Sequence, residues 1–323
     1  MKRMLLRAAG AMFLAAAGTL AQAEDFPARP LHLIVPWAPG GNIDITARVL
    51  APSLGEALGQ SVVVDNRAGA GGTIGSLFVA KSAADGYTLL LGSSGSVTAS
   101  PAVMKNIPYD TPRDFTALGP IHLVPMVLTA SPKLGVSTYA EFAALVKARD
   151  GKVSVASAGN GSSNHLAIEM LKRQAGYELI HVPYKGSGPA LTDEMGGQVD
   201  AMIDQLTASL QYIRDGRIKA LAMTSKTRSP QLPNVPTLAE SGLPKFDATT
   251  FTGLFAPANL PRPVTDKLAA ALRKALADPQ LREKFQAMGV EMLSMNMAEF
   301  SAFVRADYEQ WRAVARDAHV VIE

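Results

Sequence analysis

The sequence predicts an α/β protein of two lobes, each built on a mainly parallel sheet, with a cleft between them. Three observations carry this. Short unbroken aliphatic runs alternate with helical stretches, the alternation restarts near residue 121, and a proline-rich stretch over 229–263 breaks it around one extended segment. Unbroken β-branched and aliphatic runs mark strands buried on both faces, as in parallel sheets. A chain that restarts and returns enters a second lobe and comes back, and such folds open a cleft at the carboxyl ends of their strands. The expected boundaries are 24–124 for the first part of lobe 1, 125–250 for lobe 2 and 251–323 for the return.

The elements follow in order. Leu31–Val35 reads as a strand, followed by a Pro/Gly loop and a helix over about 43–58 that Pro52 and Gly55 should kink or interrupt. Val62–Val64 and Thr88–Leu91 are the next strands, with a helix between them ending near Ser82. After the restart, Pro125–Thr129 is extended and 138–149 is a helix, with Thr138 and Glu141 at capping-box spacing. Strands at Val153–Ala156, Leu179–Val182, Asp200–Ile203 and Ile218–Met223 alternate with helices, one of them over 164–174. Thr250–Ala256 is extended. Helices at about 263–277, 279–288 and 297–316 close the chain, the last with Asn296 and Glu299 at capping-box spacing.

The first 23 residues read as an export leader. Lys2, Arg3 and Arg7 precede the apolar run Ala8–Leu20, and Ala21-Gln22-Ala23 is a cleavage site. Its removal takes three cations from 31 Lys and Arg and no acid from 28 Asp and Glu, leaving a formally neutral chain. A neutral chain lacks the basic face that nucleic acid requires as partner. No later apolar stretch reaches the roughly 18 residues of a membrane span. The chain also has no cysteine, so it can carry neither a lipidated N-terminal Cys nor thiolate metal sites or thiol nucleophiles. An exported, untethered protein reads as periplasmic, with free secretion as the alternative. No cofactor and no metal is expected.

Four loops after predicted strands share a Gly/Ser-rich composition: 36–44, 67–73, 92–96 and 157–165. Each precedes a helix, whose N-terminus offers unpaired N–H groups and positive potential, while glycine lets an anion approach the backbone. Together they suit carboxylate or phosphate groups with few Lys or Arg. Two enzyme readings compete. Gly69–Gly75 has the spacing G-x-G-x-x-x-G on the second strand and no acidic strand end about 20 residues on, unlike a dinucleotide fingerprint. Ser162 or Ser163 beside His165 suggests a serine hydrolase, but no G-x-S-x-G elbow is present. The other histidines, His32, His122, His181 and His319, have no metal-ligand spacing and read as structural. Asp44 reads as a capping carboxylate. Asp204 reads equally as structural or ligand-facing, and Trp37 as a cleft wall.

The run Leu33–Asp44, with its Pro-Trp-Ala-Pro-Gly-Gly-Asn-Ile-Asp, resembles the opening of the tripartite tricarboxylate transporter substrate-binding proteins, the Bug family. Val62–Gly72, Asp85–Leu90, Pro108–Asp110, His181–Gly186, Leu232–Thr237 and Gly253–Pro257 match in order, covering essentially the whole chain after the leader. The resemblance implies a type II periplasmic binding protein, a flytrap that captures a small mono- or dicarboxylate of amino-acid or aromatic-acid size. It would deliver that ligand to a transporter's membrane subunits, or else present it to the periplasmic domain of a sensor kinase. It also implies ligand-binding residues: Trp37, Gly40, Gly41 and Asp44; Ala70, Gly71 and Thr73; Ser93 and Ser94; Ser157, Gly159, Ser162, Ser163 and His165; Tyr184 and Asp204. Where Trp37 stands, the family often has Phe or Tyr, and where Phe251 stands, Trp.

Overall fold

In the computed structural model, which describes residues 26–322, the aliphatic runs become ten strands of one continuous sheet. The expected leader and its cleavage after Ala23 lie outside those residues. The strands are β1 (Leu31–Val35), β2 (Val62–Asn66), β3 (Thr88–Ser93), β4 (Phe115–Ala130), β5 (Ser154–Ser157), β6 (Ile180–Pro183), β7 (Ala201–Gln205), β8 (Lys219–Met223), β9 (Thr249–Pro257) and β10 (Glu291–Met292). Their order is β2-β1-β3-β9-β4-β7-β5-β6, with β8 and β10 also paired to β4.

The strands that head βα units pair in parallel: β1 with β2 and β3, and β5 with β6 and β7. Two long strands join these groups and run antiparallel. Phe115–Pro125 of β4 pairs with β9, whereas Met126–Ala130 pairs with β7, and Val127–Ala130 also with β8. β4 therefore changes partners between Pro125 and Met126.

The helices are α1 (Asn42–Leu58), α2 (Thr73–Ala80), the short α3 (Ser100–Val103) and α4 (Thr111–Asp114), α5 (Tyr139–Ala148), α6 (Ser163–Ala175), α7 (Ser187–Gly196), α8 (Leu206–Arg214), α9 (Arg262–Ala277), α10 (Pro279–Ala287) and α11 (Met297–Asp317). α1 runs through Pro52 as one helix, so the expected interruption does not occur. Pro52 and Arg48, one turn apart, are both exposed, so water can take the carbonyl that proline leaves unpaired. Gly55 meets a tighter demand: a Cβ there would stand 2.9 Å from the Gln60 carbonyl oxygen of the turn that leads into β2.

The apolar side chains pack in separate clusters. Leu31, Leu33, Leu50, Leu54, Leu89, Leu254 and Leu272 pack in one, and Phe142, Val155, Leu166, Leu171, Ile203 and Phe246 in another. α11 spans both regions: Phe300 and Val304 pack with Phe251 and Phe255, while Trp311 and Ala315 join the Phe142 cluster.

The capping box of α5 is formed. Thr138 Oγ1 accepts from Glu141 N at 3.2 Å, and Glu141 Oε2 accepts from Thr138 N at 3.2 Å. Thr138→Ala is expected to destabilise the protein by about 1 kcal/mol, because one helix-end donor loses its acceptor. Thermal unfolding should show a fall of roughly 2–4 °C, and an unchanged midpoint would mean that the cap contributes nothing.

Candidate functional site

Two pairs of loops meet. In the first, the Ala38 N–H donates to the Lys185 carbonyl at 3.2 Å, and Gly41 packs on Ser187. In the second, Ser100 Oγ bridges the carbonyls of Gly71 (2.8 Å) and Gly161 (3.2 Å). A Cβ on Gly71, which has φ +63°, would overlap the Asn160 carbonyl oxygen, so only glycine permits that approach.

Between these contacts lies a small cavity of about 20 Å³, lined by Trp37, Gly41, Asn42, Ile43, Ser93, Ala158, Ser163, Asn164, Ser187 and Gln205. That volume suits about one water molecule, so any larger guest requires the walls to move apart. Four helices begin at this cavity: α1 at Asn42, α6 at Ser163, α7 at Ser187 and α8 just after Gln205. Of these, α1, α7 and α8 have no side-chain cap. Uncapped helix N-termini present N–H donors and positive potential to whatever occupies the space. No Lys or Arg lines it.

Of the residues singled out from the sequence, Trp37, Gly41, Ser93 and Ser163 line the cavity. The Trp37 ring lies against Gly72 and Gly95, at both of which a Cβ would come within 3.0 Å of Trp37 Cζ2. Gly40, Gly71 and Gly159 sit at the loop contacts, Gly159 beside the Tyr184 carbonyl. Asp204 lies directly behind the wall. It is fully buried and accepts from Ser187 Oγ at 2.5 Å, Ser209 Oγ at 3.0 Å and Asn164 Nδ2 at 3.4 Å. Burial raises its pKa to about 6, against the pull of those hydrogen bonds.

The remaining residues face elsewhere. Asp44 accepts from Gly40 N, Arg48 Nε and Asn66 Nδ2, all near 3.0 Å, so its carboxylate braces the first loop. Burial raises its pKa, but the hydrogen bonds from Arg48, Gly40 and Asn66 outweigh burial and leave it lowered. Ser157 Oγ holds the fourth loop through Gly159 N and His181 Nε2. Ser162 caps α6, donating to Gly159 O and accepting from His165 N. His165 Nδ1 accepts from Gly161 N, and its ring stacks on His181 at 4.0 Å. Neither Ser162 nor Ser163 is hydrogen-bonded to that imidazole, which leaves no nucleophile–base pair there. Ser94 Oγ turns to Asp307 and accepts from Phe251 N. Tyr184 donates to Asp193 at 2.7 Å, Thr73 contacts Met104 Sδ, and Ala70 is exposed.

Sequence reasoning missed Asn42, Ile43, Ala158, Asn164, Ser187 and Gln205. Four of these lie inside the selected loops. Ser187 had a usable signal in Gly186-Ser187-Gly188, glycines flanking a helix start, and Gln205 in its place at a strand's carboxyl end.

A family model described as tripartite tricarboxylate transporter family receptor matches residues 46–319. The chain is 40% identical to the periplasmic binding protein BugD, with a TM-score of 0.89 over 92% of this chain and 100% of that one. It is 34% identical to Rpa4515 of R. palustris, solved with adipate, at a TM-score of 0.89 over 92% and 99%. It is likewise 34% identical to MatC (Rpa3494) from Rhodopseudomonas palustris, solved with bound malate, at 0.86 over 90% and 99%. Fold, loops and these likenesses agree: the chain belongs to the tripartite tricarboxylate transporter receptor family, the Bug proteins, and has the two-lobed fold of a periplasmic binding protein.

Proposed function

We propose that this protein captures a small carboxylate between its two lobes in the periplasm and hands it to the membrane subunits of a tripartite tricarboxylate-type transporter. The lobes meet at residues 125 and 250, and the export leader ends at Ala23. The observation that carries this reading is the convergence of three uncapped helix N-termini on a cavity lined by no cation. Backbone donors and helix ends can hold an anion without Lys or Arg, at roughly 1.5–3 kcal/mol for each hydrogen bond to a charged group. That two related proteins were solved with dicarboxylates, adipate and malate, supports the same class here. Among the described residues no helix is long and apolar enough to cross a membrane, which fits a separate receptor that docks on its transporter.

The lobes in contact leave room for about one water, so capture requires opening and closure follows as the ligand bridges both walls. The test is a thermal-shift screen of residues 24–323, refolded to strip bound ligand, against mono-, di- and tricarboxylates and their neutral amide analogues. An acid at about 100 times its Kd adds roughly 2.7 kcal/mol, an upward shift of several degrees. A shift confined to carboxylates supports the reading. A natively refolded protein shifted by no acid refutes it.

A further inference from the structure

The cavity lining carries two side-chain acceptors beside the backbone N–H donors of the helix N-termini, and a carboxylate uses only the donors. Asp204 is buried, and its partners are the Ser187 and Ser209 hydroxyls, the Asn164 amide and the Gln205 backbone, all neutral. A carboxylate accepts only, so each of these partners must donate to it. Ser187 has one hydroxyl proton, donated to Asp204 Oδ1 across an oxygen–oxygen distance of 2.5 Å, and therefore has its lone pairs left for the cavity it lines. The Asn164 amide N–H groups are likewise committed, to the Ile203 carbonyl at 2.9 Å and to Asp204 and Gln205. Ser163 Oγ lies 3.4 Å from Gln205 Nε2, which donates to it and leaves the serine proton available as a donor.

A second acceptor lines the same cavity. Gly41 packs on Ser187, with its Cβ position 3.4 Å from Ser187 Cβ, and the next residue, Asn42, lines the same cavity. Asn42 is 3% exposed, and its Oδ1 is buried without a hydrogen-bond partner. Buried polar atoms in folded proteins are nearly always paired, so this oxygen lacks a donor that the protein does not supply. A carboxylate oxygen set against these two side-chain oxygens would meet acceptors, with the Asp204 carboxylate behind Ser187.

We propose that the ligand carries, beside its carboxylate, a hydrogen-bond donor, an α-hydroxyl or α-ammonium group, received by Ser187 Oγ and Asn42 Oδ1. This rests on the carboxylate reading above and narrows it: backbone N–H groups of the helix N-termini and Ser163 Oγ take the carboxylate, and the side-chain oxygens of Ser187 and Asn42 take the donor. A site built to pair with a ligand's O–H or N–H rejects the analogue that lacks it, because the site's own buried atom is then left unpaired.

The test is calorimetric titration of residues 24–323 at pH 8 with matched acids: malate and aspartate against succinate, and lactate and alanine against propionate. The donor-bearing acid should bind at least tenfold tighter in one or more pairs. Asn42→Leu and Ser187→Ala should each shrink that ratio at least threefold, mainly by weakening the donor-bearing acid. Two variants are used because Ser187→Ala also removes a partner from Asp204. If the unsubstituted acids bind as tightly as their partners, or the ratio is unchanged in both variants, the proposal is overturned while the carboxylate reading stands. If no acid binds at all, both fall.

Discussion

Gly188→Ala is expected to leave the protein folded and to weaken ligand binding by about a hundredfold or more. Gly188 is the second residue of α7 and does not have the positive φ that would demand glycine, so alanine suits the helix locally. Across the cleft the situation is different. A Cβ on Gly188 would overlap the Pro39 carbonyl oxygen and stand 3.3 Å from its carbon and 3.5 Å from Gly40 Cα. The obstacle is backbone, and it is braced: the Gly40 N–H is held at 3.0 Å by Asp44, itself fixed by Arg48 and Asn66. The loop cannot yield cheaply, so the lobes must stop short. Two lost hydrogen bonds to a charged ligand, at roughly 1.5–3 kcal/mol each, amount to at least a hundredfold in Kd. Gly196→Ala, at the other end of α7, meets only Gln198 Cγ at 3.9 Å and serves as the control, with no change expected. Calorimetry with a bound acid, paired with small-angle scattering before and after saturation, reads both affinity and closure. Wild-type affinity and compaction in Gly188→Ala would show that this contact does not gate the cleft.

The parts of this architecture that the sequence announces are those that local chemistry determines. β1, β3, β5 and β7 are read from apolar runs because most of their residues are buried, the edge strand β2 from its valines although Val63 is exposed, and the caps at Thr138 and Asn296 because a box needs only spacing. β4 is a different case. It is 16 residues long, but Gly119, Pro120 and Pro125 break its apparent continuity, and only 125–129 reads as extended. The structure absorbs these residues by shifting register between Ala117 and Gly119 and between Pro120 and His122, a tertiary solution that no window of sequence displays.

The site divides along the same line. Loop composition selected the right segments, since helix starts and glycines are local properties. Side-chain direction is not local. Asp44, Ser94 and Ser157 sit in the chosen loops yet turn to Asn66, Asp307 and His181, partners that folding alone supplies. Gln205 and Ser187 reach the cavity only because β7 ends and α7 begins there.

Glu194→Gln should flatten the stability profile above neutral pH, and the sign follows from which state binds the proton. Glu194 is fully buried and neither carboxylate oxygen has a hydrogen-bond partner. Burial outweighs the opposing pull of the nearby Thr129 hydroxyl and, with the charge of Asp204, raises its pKa from 4.5 to about 8. The folded state therefore holds a proton that the unfolded chain releases near 4.5. Its favourable contribution is complete below that value and is lost as pH rises through about 8. Burial likewise raises Asp204 to about 6 and Asp307 to about 7, with the same sign. The histidines oppose them. Burial lowers His122 and His181 to about 3 and lowers His165, so stability from these groups rises as pH climbs to 6.5 and is constant above it. Below pH 6.5 the two sets offset one another, and above it only the carboxyls titrate. One proton is worth about 1.4 kcal/mol per pH unit, so Glu194 alone should remove about 1–2 kcal/mol of ligand-free stability between pH 6.5 and 8. Glutamine keeps the shape and cannot ionise. Its buried amide lowers stability at every pH, so the informative quantity is the slope rather than the level. Thermal unfolding at pH 5.5, 6.5, 7.25 and 8 should show the wild-type midpoint falling by several degrees above pH 6.5 and the variant falling less, the remainder tracing Asp307. Parallel profiles would mean that Glu194 is already ionised in the folded protein and that its burial does not hold the proton.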